Sequence, residues 1–205
     1  MSGTVALVDY GSGNLRSVAK ALEACGAGVV LANSAAALKD AAAVVVPGVG
    51  SFGDCATNLR ASGMWEPIRE WLEAGRPYLG ICLGYQLLFE TSEESPGAKG
   101  FGVLPGRVVR FTPGGLKVPH MGWNQLDHTR GALFAKADQD PWFYFVHSYY
   151  PVPDNPDDVS AWCKYGVDFA AAVSRGNLHA TQFHPEKSQA AGLALLRGFL
   201  QSLRS

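Results

Sequence analysis

Apolar and polar positions follow two different rhythms along this chain. Residues 4–8 form a short apolar run that ends at Asp9, and Gly11, Ser12, Gly13 and Asn14 then turn the backbone. Leu15, Val18, Ala19 and Leu22 follow at the i, i+3, i+4, i+7 spacing of a helix that rests one face on a sheet. Gly26 stands where a helix C-terminal glycine is expected. Residues 28–31 read as a second strand and 43–46 as a third, closed by Pro47 and Gly48. Residues 54–61 and 64–74 read as helices, 78–81 as a buried strand and 84–90 as a helix directly after it. Uninterrupted apolar strands separated by helices imply a parallel sheet covered on both faces.

Beyond Ser92 the rhythm shortens. Residues 96–106 read as a loop and 107–111 as a strand, with further strands at 142–146, 161–165, 169–174 and 178–183. Their glycine and proline punctuation predicts antiparallel pairing. The last element is a helix, with Ser188 as its N-cap and Leu193, Leu196, Leu200 and Leu203 as its stripe. No repeat, low-complexity tract or linker interrupts the pattern. The expected fold is α/β over one domain, residues 1–205: a mostly parallel central sheet flanked by helices, with an antiparallel β-rich portion in the second half.

Composition narrows the function by exclusion. Of 205 residues, 47% are hydrophobic and 17% charged, with 17 Lys and Arg against 18 Asp and Glu. A net charge of −1 offers no electrostatic footprint for nucleic acid or an anionic membrane. No apolar run is long enough to span a bilayer, and no export signal is read at Met1. The four cysteines, at 25, 55, 82 and 163, are not spaced for zinc or for a disulfide framework, so reduced thiols in the cytoplasm are expected.

Cys82 is the exception among them. Gly80-Ile81-Cys82-Leu83-Gly84 lies between a predicted strand and a predicted helix, which is the cysteine form of the G-x-S-x-G nucleophile elbow. The flanking glycines allow a turn too tight for side chains, and a helix start favours thiolate. Taken alone, the motif also fits a buried cysteine in a glycine-rich turn. A nucleophile needs a base, and His184 is the histidine that arrives with a carboxylate at useful spacing, in His184-Pro185-Glu186. Residues two apart on an extended segment project to one side, and Pro185 biases His184 toward that extended form. Glu186 can then orient one ring nitrogen while the other faces sulfur. His147 is the second choice of base. Pro47-Gly48-Val49-Gly50 closes the third strand and can aim a backbone N–H at a developing oxyanion, beside the N–H of Leu83.

Gly-Ile-Cys-Leu-Gly-Tyr-Gln at 80–86, His-Pro-Glu at 184–186 and Pro-Gly-Val-Gly at 47–50 together resemble the class I (triad) glutamine amidotransferases. Within that family the chain is most similar to the glutaminase subunits of imidazole glycerol phosphate synthases, in histidine biosynthesis. The segments that carry this are 9–15, Ser51-Phe52-Gly53-Asp54, Pro119-His120-Met121-Gly122-Trp123-Asn124, Val146-His147-Ser148-Tyr149 and 183–188. The resemblance implies a flavodoxin-like sheet, no metal or organic cofactor, and hydrolysis of glutamine through a thioester on Cys82. It implies that Gln86 and Glu94 hold the amino-acid head of glutamine and that the Ser148–Tyr149 backbone lies along it. Val49, Gly50 and Leu83 would form the oxyanion site, with a Gly50 peptide that flips before it donates. The implied partner is a (β/α)8-barrel cyclase, in a heterodimer that receives ammonia through a shielded passage and raises hydrolysis when its nucleotide binds. Asn14, Trp123, Tyr144 and Lys187 would face it. Tyr85 stands where the family often has methionine.

Other readings are a glutaminase of another triad amidotransferase (anthranilate, guanylate, carbamoyl phosphate or pyridoxal phosphate synthesis), a catalytically silent subunit of the same fold, and a nucleotide-binding module. The segment at 119–124 disfavours the first, and the intact triad disfavours the second. Arg16 breaks the G-x-G-x-x-G spacing required by the third. The expectation for Cys25, Cys55 and Cys163 is packing alone, and for His120 a place in a proline-flanked loop.

Overall fold

The computed structural model describes residues 4–11, 13–112, 114–135 and 142–203. Its first half runs β1 (Thr4–Val8), α1 (Leu15–Ala24), β2 (Gly28–Ala32), α2 (Ala35–Leu38), β3 (Ala43–Gly48), α3 (Phe52–Ala61), α4 (Trp65–Glu73), β4 (Tyr78–Cys82) and α5 (Leu83–Gln86). The second half adds β5 (Thr91–Ser92), β6 (Gly106–Arg110), β7 (His120–Gln125), β8 (Trp142–His147), β9 (Tyr149–Pro153), β10 (Val159–Tyr165), β11 (Val167–Arg175), β12 (Leu178–Thr181) and α6 (Gln189–Ser202).

The central sheet has the order β2-β1-β3-β4-β12-β11-β10. Its first five strands pair in parallel, in the 2-1-3-4-5 order of flavodoxin-like sheets. Side chains alternate between the two faces as a strand requires. Ala6, Val8, Val44 and Val46 pack with Phe52, Leu59, Ile68 and Trp71 on one side. Val5, Leu7, Val45 and Ile81 pack with Val18, Leu22, Leu196 and Phe199 on the other. With helices on both faces, every residue of β3 and β4 is buried, and each large apolar side chain there contributes roughly 1.5–3 kcal/mol. In α1, Val18 and Leu22 are buried while Leu15 and Ala19 are partly covered, and Gly26 follows the C-cap with φ of 89°.

Three expectations need correction. The antiparallel strands β10 and β11 extend the central sheet, and residues 178–181 pair antiparallel with β11 on one edge but parallel with β4 on the other. The helix after the elbow is one turn long. A helix through residue 90 would set the Leu88 N–H on the Gly84 carbonyl, but that carbonyl accepts the Tyr78 hydroxyl at 2.8 Å and the Leu88 N–H bonds the Tyr85 carbonyl instead. Ser188 holds the N-cap position of α6, as expected, but its side chain does not cap, because its hydroxyl donates to the His184 carbonyl at 2.6 Å and accepts from the Tyr144 N–H at 3.0 Å.

Three strands, β5, β7 and β9, have no counterpart in the apolar pattern. β7 pairs antiparallel with β8 as a separate ribbon, so His120 lies in a strand and not in a loop. β9 joins β5 and β6 in a three-stranded sheet. In β7 the outward residues Met121 and Trp123 are the apolar ones, and the inward face carries His120 and Asn124. That inversion hides the strand from a reading that expects apolar residues inside.

Candidate active site

Cys82 closes β4 with φ of 56° and ψ of −105°. A non-glycine residue in this region stores strain on the order of 1–3 kcal/mol and persists only where packing over-determines it. The packing here is backbone on backbone. A β-carbon on Gly84 would overlap the Val46 carbonyl, and one on Gly80 would lie 2.5 Å from the Gly84 carbonyl oxygen. The motif glycines thus let β3, β4 and α5 meet closely enough to hold the elbow. Since α5 is a single turn, it supplies little aligned dipole. The cation available to the sulfur is His184.

His184 follows β12, the parallel neighbour of β4, so the sheet brings Cys82 and His184, far apart in sequence, to adjacent strand ends. Its Nδ1 lies 2.9 Å from Glu186 Oε1, and the two side chains are only 3% and 1% exposed. Among the described residues, Nε2 has no hydrogen-bond partner of good geometry. Burial opposes charge on this ring, but the Cys82 sulfur and the Glu186 carboxylate outweigh it and raise His184 to about 10. The cysteine, the imidazole and the carboxylate are therefore electrostatically coupled. Gln182, which sequence reasoning missed, donates from Nε2 to Cys82 Sγ at 3.6 Å. No motif marks it, although it stands two residues before His184.

Cys82 and His184 open into a cavity of about 300 Å³ at the carboxyl ends of β3, β4 and β12. Its wall includes Val49, Gly50, Leu83, Gln86, Glu94, Ser148 and Tyr149, so every predicted oxyanion and substrate residue borders the same space. Gly50 has φ of 96°, and nothing lies within 4 Å of where its β-carbon would be. Gln86 is buried, with Nε2 donating to the Tyr149 carbonyl at 3.0 Å and to Gln182 Oε1 at 3.1 Å, while its Oε1 has no partner among the described residues. Glu94 accepts from the Phe52 N–H at 2.8 Å, and burial raises its pKa.

His147 also lines the cavity, but it is bonded to the Tyr149 carbonyl and to His120, and burial pushes it down to about 3. It does not fit the part of base. Cys55 and Cys163 are buried thiols raised to about 12, first of all by burial, as packing residues would be.

The predicted interface residues fall partly together. Trp123 is 44% exposed and meets the Tyr144 ring edge-on at 6.2 Å, and Lys187 Nζ lies 5.7 Å from that ring's centre. With Met121, 63% exposed, they form an aromatic and apolar strip beside the cavity, and Lys187 also lines the cavity. Asn14 precedes α1, the helix that packs on the Pro185–Lys187 turn.

Known proteins place this arrangement. The family model for glutamine amidotransferase class-I matches residues 6–202. The imidazole glycerol phosphate synthase subunit HisH of Syntrophotalea carbinolica is 51% identical, over 95% of this chain and 98% of that protein. Its namesake from Methanothermobacter thermautotrophicus is 48% identical, over 98% of this chain and 100% of that protein. A solved structure described as a glutamine amidotransferase shares the fold with a TM-score of 0.79 at 23% identity, over 99% of this chain and 100% of that one. Matched almost end to end, and with the motif residues gathered around one cavity, the chain belongs to the class-I glutamine amidotransferases.

Proposed function

We propose that this chain is the glutaminase subunit of an imidazole glycerol phosphate synthase, acting as one domain over residues 1–205 in the cytoplasm. Cys82 Sγ attacks the side-chain amide carbon of glutamine, and the tetrahedral oxygen faces the N–H groups of Leu83 and of the Val49–Gly50 segment. His184 gives its Nε2 proton to the departing nitrogen, ammonia leaves, and a thioester remains on sulfur. The neutral imidazole then takes a proton from water, which attacks the thioester and releases glutamate. Glu186 holds the ring through Nδ1 in both steps. Gln86, Glu94 and the Ser148–Tyr149 backbone hold the amino-acid head of the substrate. An unobstructed Gly50 suits a peptide that rotates to present its N–H.

Ammonia passes to a cyclase with a (β/α)8 barrel in a heterodimer. The exposed strip of Met121, Trp123, Tyr144 and Lys187 supports that docking face, because a contiguous apolar patch at the mouth of a polar cavity is typical of an interface. On this reading, the cyclase's nucleotide raises hydrolysis by shifting the oxyanion segment between two states.

The observation that carries the proposal is that His184 Nε2, without another bond of good geometry among the described residues, shares a cavity with the strained Cys82 while Glu186 holds its other nitrogen. In the reconstituted complex, Cys82→Ser is expected to abolish glutamine-dependent synthesis and to spare synthesis from added ammonia. Loss of both would reduce Cys82 to a structural residue.

A further inference from the structure

Two histidines that the mechanism leaves unused lie side by side at the cavity, His147 in its wall and His120 next to it. His120 and His147 are cross-strand partners on the β7–β8 ribbon, and both are buried. His120 Nε2 lies 3.2 Å from Asn124 Nδ2, His120 Nδ1 lies 3.1 Å from His147 Nε2, and His147 Nδ1 lies 2.9 Å from the Tyr149 carbonyl. Both ends of this line have a fixed polarity. Asn124 Nδ2 donates to the Lys164 carbonyl at 3.0 Å and its Oδ1 accepts from the Gln125 N–H at 2.9 Å, which sets the orientation of the amide. At the other end a backbone carbonyl can only accept.

One arrangement of protons satisfies every contact. Asn124 donates to His120 Nε2, His120 Nδ1–H donates to His147 Nε2, and His147 Nδ1–H donates to Tyr149. Both rings are then neutral Nδ1–H tautomers, and a proton added to either would point at another N–H. Burial favours the same state, lowering His120 to about 4 and His147 to about 3. The titratable groups that act on His147 are His120 and His184, and both oppose a charge on it. Around His120 the neighbours are aromatic, with Tyr165 stacked at 4.0 Å and Phe145 at 4.7 Å.

The Tyr149 carbonyl is the junction. It also accepts from Gln86 Nε2, which bonds Gln182, which in turn reaches the Cys82 sulfur. We propose that His120 and His147 are positioning residues for glutamine hydrolysis, whose one-way relay of N–H bonds locks the Ser148–Tyr149 wall of the cavity to the ribbon that carries Met121 and Trp123 on its outer face. This inference rests on the cavity being the glutamine site.

The test has two arms on the full chain. In long-range ¹H–¹⁵N imidazole spectra, both rings are expected as Nδ1–H tautomers that stay neutral across about pH 6–8. An Nε2–H tautomer, or titration of either ring in that window, would overturn the relay. In the complex with its cyclase, His147→Phe is expected to raise KM for glutamine about ten-fold, the scale of one lost hydrogen bond, with a smaller change in kcat. His147→Asn, whose amide N–H can still reach the Tyr149 carbonyl, is expected to recover most of that loss. A folded Phe variant with unchanged KM, or an Asn variant as impaired as Phe, would also overturn the proposal. If the Phe variant fails to fold, the Asn variant and the spectra decide. Failure of the wild-type complex to hydrolyse glutamine would instead overturn the assignment of the cavity, and the spectra would still decide the relay.

Discussion

Glu186→Gln exchanges a single oxygen for nitrogen and removes one buried charge. Glu186 Oε1 lies 2.9 Å from His184 Nδ1, with both side chains almost wholly excluded from water. A hydrogen bond between charged groups in such a place is worth roughly 1.5–3 kcal/mol. The carbonyl oxygen of glutamine still accepts from Nδ1–H, so the ring keeps its orientation and only the charge is lost. At about 1.4 kcal/mol per pH unit, His184 falls from about 10 by roughly one to two units. The same free energy is withdrawn from a transition state in which the imidazolium forms, giving a kcat about 10- to 150-fold lower. Initial rates of glutamate release by the complex test this, with KM expected to change by no more than about two-fold. A variant with wild-type kcat, or one in which KM alone moves, would refute an electrostatic role for Glu186.

Stability should depend on pH through two opposed groups. His120, His147 and His179 are lowered by burial to about 4, 3 and 4, so acidification below about 6.5 destabilises the fold as the unfolded chain gains protons that the folded chain resists. Each contributes about 1.4 kcal/mol per pH unit, measurable by urea denaturation between about pH 6 and pH 4. His184 acts oppositely: its raised value gives stabilisation that is full below about 6.5 and lost as pH climbs through about 10. Gly84→Ala drives a methyl into the Val46 carbonyl and should destabilise by about 3 kcal/mol or more, seen as a large fall in Tm; a fall of only a degree or two would contradict the close approach. Trp123→Ala should leave Tm within about 2 °C but weaken binding of the cyclase at least ten-fold by calorimetry, since a half-exposed ribbon tryptophan contributes to docking more than to the core.

Much of this was legible because it is written in periods and spacings. Val18 and Leu22, the buried runs at 43–46 and 78–81, and the glycines around Cys82 follow from strand and helix geometry. The convergence of Cys82 and His184 followed from chemistry, as a nucleophile and the histidine that travels with a carboxylate. What stayed hidden depends on long-range pairing. The apolar pattern does not mark β7 because its inward residues, His120 and Asn124, are polar, and only hydrogen bonds to His147 and the Lys164 carbonyl make their burial tolerable. Gln182 carries no local signal, and its place beside Cys82 exists only once β12 lies alongside β4. The elbow helix stops after one turn because the Tyr78 hydroxyl occupies the Gly84 carbonyl, a contact that no period or spacing shows. Tyr85, which stands where the family often has methionine, is wholly buried and donates to the Ala170 carbonyl at 3.3 Å.

The most direct measurement is mass spectrometry of the wild-type complex, acid-quenched during turnover of glutamine with the cyclase nucleotide present. The account predicts a γ-glutamyl adduct, the mass of glutamine less ammonia, on the peptide that contains Cys82 and on no other. Steady release of glutamate with no such adduct, or an adduct on a different cysteine, would contradict it.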